Sequence, residues 1–544
     1  VAGLQQLNWD SEGVGSKAAA LVDLSTVAGN KISNPPWVKF QSAGWVNFPS
    51  APTPPPMPSP AGTLRGIDGM HFDDCRDQRM KEIAAPMFDL IALSLPRGLG
   101  FGDSPPVGAW LSEDGISCAA LTRNINSGSF GIVTLRRRVD SVWVLLSHGE
   151  CTTGESEARA SISHFLYTQA HPLPLPSGER RRAPLSRMGK RTPSVVFKSL
   201  FDPSRRIGAW ALNQLYLALP SPDRNWVPDC QTENFHTRLW EAHLLAIFRE
   251  QGLLVTQPKE SPDFHIENRL GDEAWVEAVT ANPEERYEHF GASPVPPPAD
   301  RHERFLGAAA ERFARTIQNK LDKRYESLPH VEGKPLILAL ADFHAPSSML
   351  WSRESLISYL YGFAVHSSAH RGTHLITVEE ETSLLSGRPN GLFTLMENAH
   401  LSAVIFTNAC TVPKLSRVPI SGGAHLDGYR YLRFGEFFDR SPGASRGIPF
   451  LLDVASSDYG QLWPQYGYEP WSAEVEVFHN PMALYPVPNE LIPEVTHWRE
   501  VNGRVECESF FDVSILRSRT LVLSANAKVP SLDELLTAAS PPEL

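Results

Sequence analysis

The chain has 544 residues, enough for about three or four domains, and with 42% hydrophobic and 20% charged residues it can bury sizeable cores, which excludes wholesale disorder. Its net charge of −11 excludes a surface coated in positive charge for non-specific nucleic-acid binding, yet leaves room for a local basic patch. Six widely spaced cysteines without a CxxC pair fit neither a zinc ribbon nor a dense disulfide scaffold, and suit buried thiols in a reducing cytoplasm.

Residues 1–65 show little helical periodicity and end in PSAPTPPPMPSPAG (Pro49–Gly62), a polyproline-type tract that reads as a flexible Pro-rich N-terminal segment. Residues 66–171 read as a small α+β domain. A helical pattern from Asp74 to Leu95, kinked or broken at Pro86, precedes the apolar runs VGAWL, ISCAAL, FGIVTLRRR and SVWVLLS, and a helix follows over about Glu155–Gln169. Residues 172–194 read as a basic Pro-rich linker, in which Arg180–Arg182, Arg187, Lys190 and Arg191 could meet a phosphate backbone.

Residues 195–410 alternate between helix and strand. A strong helix is expected over Asn234–Gln251, then strands at LLVTQ (253–257), DFHI (263–266) and AWVEAVT (274–280). A long helix over His302–Tyr325 leads to a buried strand, PLILALAD (335–342), a helix near Glu354–Tyr361 and a strand at SAVIFTN (402–408). Residues 411–544 are turn-rich and read as a β-rich C-terminal extension. No run of about eighteen apolar residues occurs, so no membrane-spanning helix and no membrane partner are expected. The chain opens without the basic start and apolar stretch of a secretory signal, and the expected location is the cytoplasm.

Four residues in the alternating part carry chemistry. Asp263 follows Pro262 at the start of a strand, and Glu277 stands inside the apolar run Trp275-Val276-Glu277-Ala278-Val279 of the next. A buried carboxylate is costly unless paired or bound to a cation. Two on neighbouring strands suit Mg²⁺, or Mn²⁺, which takes one or two carboxylates plus waters and substrate phosphate. Glu241 falls on the stripe of Leu244, Leu245 and Phe248, the inward face of its helix. Lys320 borders the stripe Phe313, Ile317 and Leu321, where a cation could orient water and stabilise charge on a scissile phosphate.

Pro262-Asp263 followed by Glu277, within the order helix, three strands, helix, strand, resembles the PD-(D/E)XK (restriction-endonuclease-like) nuclease superfamily over residues 235–342. The resemblance implies a central α/β nuclease core of α-β-β-β-α-β order, with Asp263 and Glu277 as metal ligands and Glu241 as the helical acid. It further implies phosphodiester hydrolysis on nucleic acid, DNA before RNA, in the setting of phage defence or mobile elements. One position departs from the family pattern: Val279 stands where a lysine is expected two residues after the second acid. Some members draw that lysine from the following helix, and Lys320 is placed to supply it. Two readings compete with an active nuclease. In one, Glu277 and Lys320 are only a buried ion pair. In the other, an inactive nuclease fold serves as a nucleic-acid-binding or assembly module, with a protein partner docking through the N- or C-terminal domain.

The sequence contains no P-loop, HExxH or GxSxG pattern, so NTPase, zincin and common serine-hydrolase readings lack support. His330, His344 and His479 are single histidines with a structural reading. Oligomeric state is not legible at this level.

Overall fold

The computed structural model describes residues 80–151, 154–168, 170–283, 295–370, 373–439 and 447–539. The Pro-rich tract at 49–62 and the helix start expected at Asp74 lie outside them. The architecture is mixed α/β with several sheets.

The first unit is an antiparallel meander of β1 (Lys81–Glu82), β2 (Pro106–Leu111), β3 (Ser117–Arg123), β4 (Phe130–Arg137) and β5 (Trp143–Cys151), paired in sequence order. Alternation along β3 explains its two covers. Cys118 and Ala120 pack beneath helix α1 (Ala85–Ala92), whereas Ala119 and Leu121 pack beneath α2 (Glu155–Tyr167). Pro86 lies in the first turn of α1, where a missing N–H and fixed φ suit a helix start. Of the kink and the break expected at Pro86, the described residues show the break: the proline opens a helix.

The expected linker at 172–194 packs closely against its neighbours. Leu173 bridges Arg138, Leu185 is buried, and Arg182 donates to the carbonyls of Tyr216 and Leu217 at the end of α3 (Arg206–Ala218). The last turn of α3 leaves carbonyls without helical partners, and Arg182 serves as their cap. That use removes Arg182 from any phosphate-binding run.

The central sheet has eight strands. In chain order they are β6 (Leu254–Thr256), β7 (Phe264–Glu267), β8 (Glu273–Ala281), β9 (Leu336–Asp342), β12 (Ala403–Thr407), β15 (Val475–His479), β16 (Thr496–Val501) and β17 (Arg504–Ser509). Strands β6, β7 and β8 form an antiparallel run, and β8, β9 and β12 are parallel. Beyond β12 the sheet continues through antiparallel β15 to β16 and β17. The expected boundary at 410 therefore falls inside one sheet, and part of the expected C-terminal extension completes the core. The rest supplies a separate three-stranded sheet of β13 (Tyr429–Asp439), β14 (Ile448–Asp453) and β18 (Val513–Ser524), while β10 (Phe363–His370) and β11 (Thr373–Glu380) form a hairpin.

Helices cover both faces of the central sheet. On one lie α3, α4 (Phe235–Glu250) and a later helix, Val412–Ser421. Helix α4 is buried nearly all round, and the Trp240 indole N–H reaches across to the Ala339 carbonyl on β9 at 2.8 Å. On the other face lie α5 (Arg301–Leu306), α6 (Ala308–Leu321) and α7 (Arg353–Tyr361). The helix expected over 302–325 is broken at Gly307, where an added Cβ would meet the Glu303 carbonyl oxygen at 2.3 Å. Among the described residues no helix is long and apolar enough to cross a membrane.

A buried ion network ties the C-terminal part together. Arg417 grips Glu469 through two hydrogen bonds of 2.8 and 2.9 Å, and Arg433 binds Glu474 at 2.6 Å, all four side chains being 5% exposed or less. Burial pushes the Glu469 carboxyl up, but Arg417, Arg433 and Lys414 outweigh it and hold the group well below the usual range. A carboxyl with a depressed folded pKa contributes stability above its unfolded pKa of about 4.3, and loses that contribution as pH falls below it. Glu469→Gln should lower stability by about 3–5 kcal/mol at neutral pH, because it leaves the buried Arg417 guanidinium without its carboxylate. It should also flatten the acid limb of the stability profile. Urea unfolding at neutral and acidic pH checks both, and an unchanged midpoint would show that the arginines find other partners.

Candidate active site

Alternation along β8 decides where Glu277 points. Val276 and Ala278 face the α4 layer, and Val279 and Ala281 face the α6 layer, so Glu277 shares the α6 side. It is 4% exposed. Two donors converge on its Oε1 atom: Lys320 Nζ at 2.5 Å and the Tyr325 hydroxyl at 2.6 Å. Lys320 sits in the last turn of α6, where the carbonyl end of the helix favours a cation, and the stripe Phe313, Ile317 and Leu321 anchors that turn. Val279, on the same face, is an apolar wall.

The β7–β8 register pairs Phe264 with Val276, and one further step sets Asp263 opposite Glu277 on the adjacent strand. Asp263 Oδ2 accepts the Ala278 N–H at 2.7 Å. Burial, followed by the charges of Glu277 and Glu241, pushes the Asp263 carboxyl up to about 8, against the Ala278 N–H and Lys320. Two acids so placed repel unless a cation lies between them.

Glu241 faces inward from α4 and is 6% exposed. Its oxygens are already held: Arg238 donates to both at 2.9 and 3.0 Å, and the Trp226 indole donates to Oε2 at 2.9 Å. Burial pushes its carboxyl up, and Arg238 and Trp226 oppose that rise. Both Glu241 oxygens are thus held by Arg238 and Trp226, and its charge is one of those that push the Asp263 carboxyl up.

Sequence reasoning missed Tyr325. The helix expected to include it ends at Leu321, and Arg324 takes a left-handed conformation at φ 53, uncommon for a residue with a side chain. Beyond that turn Tyr325 is buried against Glu277. Burial and the Glu277 contact push the phenol up, so it remains a donor. No spacing rule marks a tyrosine that follows a helix end and a charged run.

Glu277 Oε2 and Asp263 Oδ1 carry no hydrogen bond among the described residues. Two hard oxygens, one on β8 and one just before β7, are of the kind that Mg²⁺ or Mn²⁺ takes. Among the described residues no group of three or more His, Cys, Asp or Glu side chains is arranged to hold a metal. The three single histidines are bonded internally: His330 to the Ser261 carbonyl, His344 to Asp342 and His479 to His497, at 2.9, 2.7 and 2.9 Å.

No family model, no curated protein and no solved structure matches the chain.

Proposed function

We propose that the chain is a metal-dependent nuclease that hydrolyses phosphodiester bonds, DNA before RNA, with Asp263 and Glu277 as ligands of Mg²⁺ or Mn²⁺. The observation that carries this reading is the convergence of Asp263, just before β7, with Glu277 of β8 and Lys320 of α6. They lie within an order of helix, three strands, two helices and strand, which differs from the order that the PD-(D/E)XK resemblance implies by the break at Gly307. When bound, the cation would supply Lewis acidity toward a phosphoryl oxygen and lower the pKa of a coordinated water. The chain's own residues set the rest. Tyr325 and Lys320 fix the Glu277 carboxylate in one orientation, and the Ala278 N–H fixes Asp263. Lys320 places a fixed positive charge beside the acids, where negative charge grows on a reacting phosphate.

A second reading keeps the fold and drops the chemistry. Glu277 already has a 2.5 Å ion pair, and Val279 occupies the usual lysine position, which favours a silent nuclease fold that binds nucleic acid or a protein partner. Incubating the purified protein with single- and double-stranded DNA and RNA, in Mg²⁺, Mn²⁺ or chelator, separates the two. Cleavage that requires metal and stops with chelator is the expected result. Binding without cleavage of any substrate would establish the silent module.

A further inference from the structure

Residues 180–198, RRRAPLSRMGKRTPSVVFK, carry seven cations and no carboxylate, in a chain whose net charge is −11. The structure divides the seven. Arg182 caps the end of α3, whereas Arg180, Arg181, Arg187, Lys190, Arg191 and Lys198 are exposed. Among the described residues none of these six forms an ion pair, because the acids packed nearest hold other partners. Glu179 and Asp140 share Arg138, and Asp229 binds Arg238.

The backbone that carries the six is fixed from inside. Leu185 is buried in the layer of α4, and the buried Gln231 side chain donates to the carbonyls of Leu185 and Arg187 at 2.8 and 3.0 Å. The Ser194 N–H in turn reaches the Gln231 carbonyl at 2.9 Å. Between these anchors two turns close, with the Arg187 N–H on the Pro184 carbonyl and the Arg191 N–H on the Met188 carbonyl. A segment held in this way has already lost the chain entropy that a solvated linker would lose on binding.

A run of exposed cations without carboxylates attracts a polyanion. Four of the six are arginines, whose planar fork matches phosphate oxygens. An anionic membrane suits the run less well, because no helix passes through residues 180–191 and Leu185 is buried, so no amphipathic helical face is offered.

We infer that residues 180–198 form a fixed track for the phosphate backbone of nucleic acid, held by charge and not by base sequence. The track belongs to the α4 side of the central sheet, whereas Glu277 lies on the α6 side. It therefore contributes affinity away from the paired acids. The inference rests on the nuclease reading only for the identity of the polyanion.

The test is fluorescence anisotropy with the full chain in chelator, so that no cleavage occurs, on oligonucleotides of unrelated sequence from about 50 to 200 mM salt. The wild type should bind them with similar affinity and weaken steeply as salt rises. Combined Arg180→Gln, Arg187→Gln and Lys190→Gln should lower the slope of log affinity against log salt by about 2–3. Affinity should fall by about 10- to 100-fold at roughly 150 mM salt. None of the three side chains makes a hydrogen bond or ion pair among the described residues, and circular dichroism checks that the variant folds. Lys190→Gln alone should lower the slope by about 0.7–0.9, whereas Lys528→Gln, the same change of charge at an exposed lysine elsewhere, should not. An unchanged slope in the triple variant, or no binding by the wild type, overturns the inference. So does a triple variant that loses binding to phosphatidylserine vesicles but not to nucleic acid. If the slope is unchanged while the wild type still cleaves in Mg²⁺ or Mn²⁺, only the track falls. Track-dependent binding without cleavage in any metal supports the track and removes the catalytic reading.

Discussion

Glu277→Gln and Asp263→Asn should each reduce metal-dependent cleavage by about 1,000-fold or more while leaving the protein folded. Each substitution keeps the shape of the side chain and removes the negative charge that a divalent cation needs. Loss of several kcal/mol of charge stabilisation, about 4 kcal/mol, corresponds to roughly that factor in rate. The two variants should differ in stability. Asp263→Asn relieves repulsion from Glu277 and Glu241, which help to push its carboxyl up to about 8, so its thermal midpoint should hold or rise. Glu277→Gln leaves Lys320 and the Tyr325 hydroxyl with a neutral acceptor, and should cost about 1–3 kcal/mol. Calorimetric titration with Mg²⁺ or Mn²⁺ gives the independent readout, since both variants should lose metal binding per folded molecule. An asparagine variant that still binds metal and cleaves would remove Asp263 from the site.

Much of this site was legible because a few residues break a strong local pattern. Glu277 interrupts an apolar strand and Glu241 an apolar helical stripe, and each anomaly points inward wherever the strand or helix exists. The element order from Phe235 to Asp342 follows from the same periodicities. What stayed hidden depends on contacts distant in sequence. The Arg238 and Trp226 bonds that occupy Glu241 come partly from a separate short helix, Trp226–Gln231, which nothing near Glu241 announces. Gly307 breaks a helix that its neighbours' spacing would continue, because the close approach of the Glu303 carbonyl leaves no room for a Cβ. Strands β15–β17 read as an extension because a turn-rich segment gives no sign of which sheet edge it will join. Pairing with β12 is a tertiary choice, made by the exposed edge of the core. Arg182 illustrates the same limit: a basic run in a Pro-rich segment reads as surface, and only the uncapped end of α3 reveals its use.

Lys320→Ala should lower turnover by about 100- to 1,000-fold, or about 2.7–4 kcal/mol, the usual effect of removing a preorganised charge that acts on the transition state. The argument starts from Val279, whose apolar side chain shares the Glu277 face and cannot supply charge, so a cation must come from elsewhere. Lys320 delivers one from the end of α6, in contact with Glu277. Lys320 is 24% exposed but Glu277 is 4% exposed, so the variant leaves a buried carboxylate with only the Tyr325 hydroxyl, at a cost approaching the roughly 3–5 kcal/mol of a broken buried pair, and turnover is compared per folded molecule. Metal affinity should stay the same or tighten, because Glu277 loses a competing positive charge. This combination of lower turnover with undiminished metal binding is what a merely structural ion pair would not produce. Lys323→Ala is the internal control: that lysine is exposed and bonds neither acid among the described residues, so the change should leave turnover within a few-fold of wild type. Equal loss of turnover in both variants would indicate a diffuse phosphate-binding role. If Lys320→Ala lost stability but kept its turnover, Lys320 would be a fold-holding partner of Glu277 and nothing more.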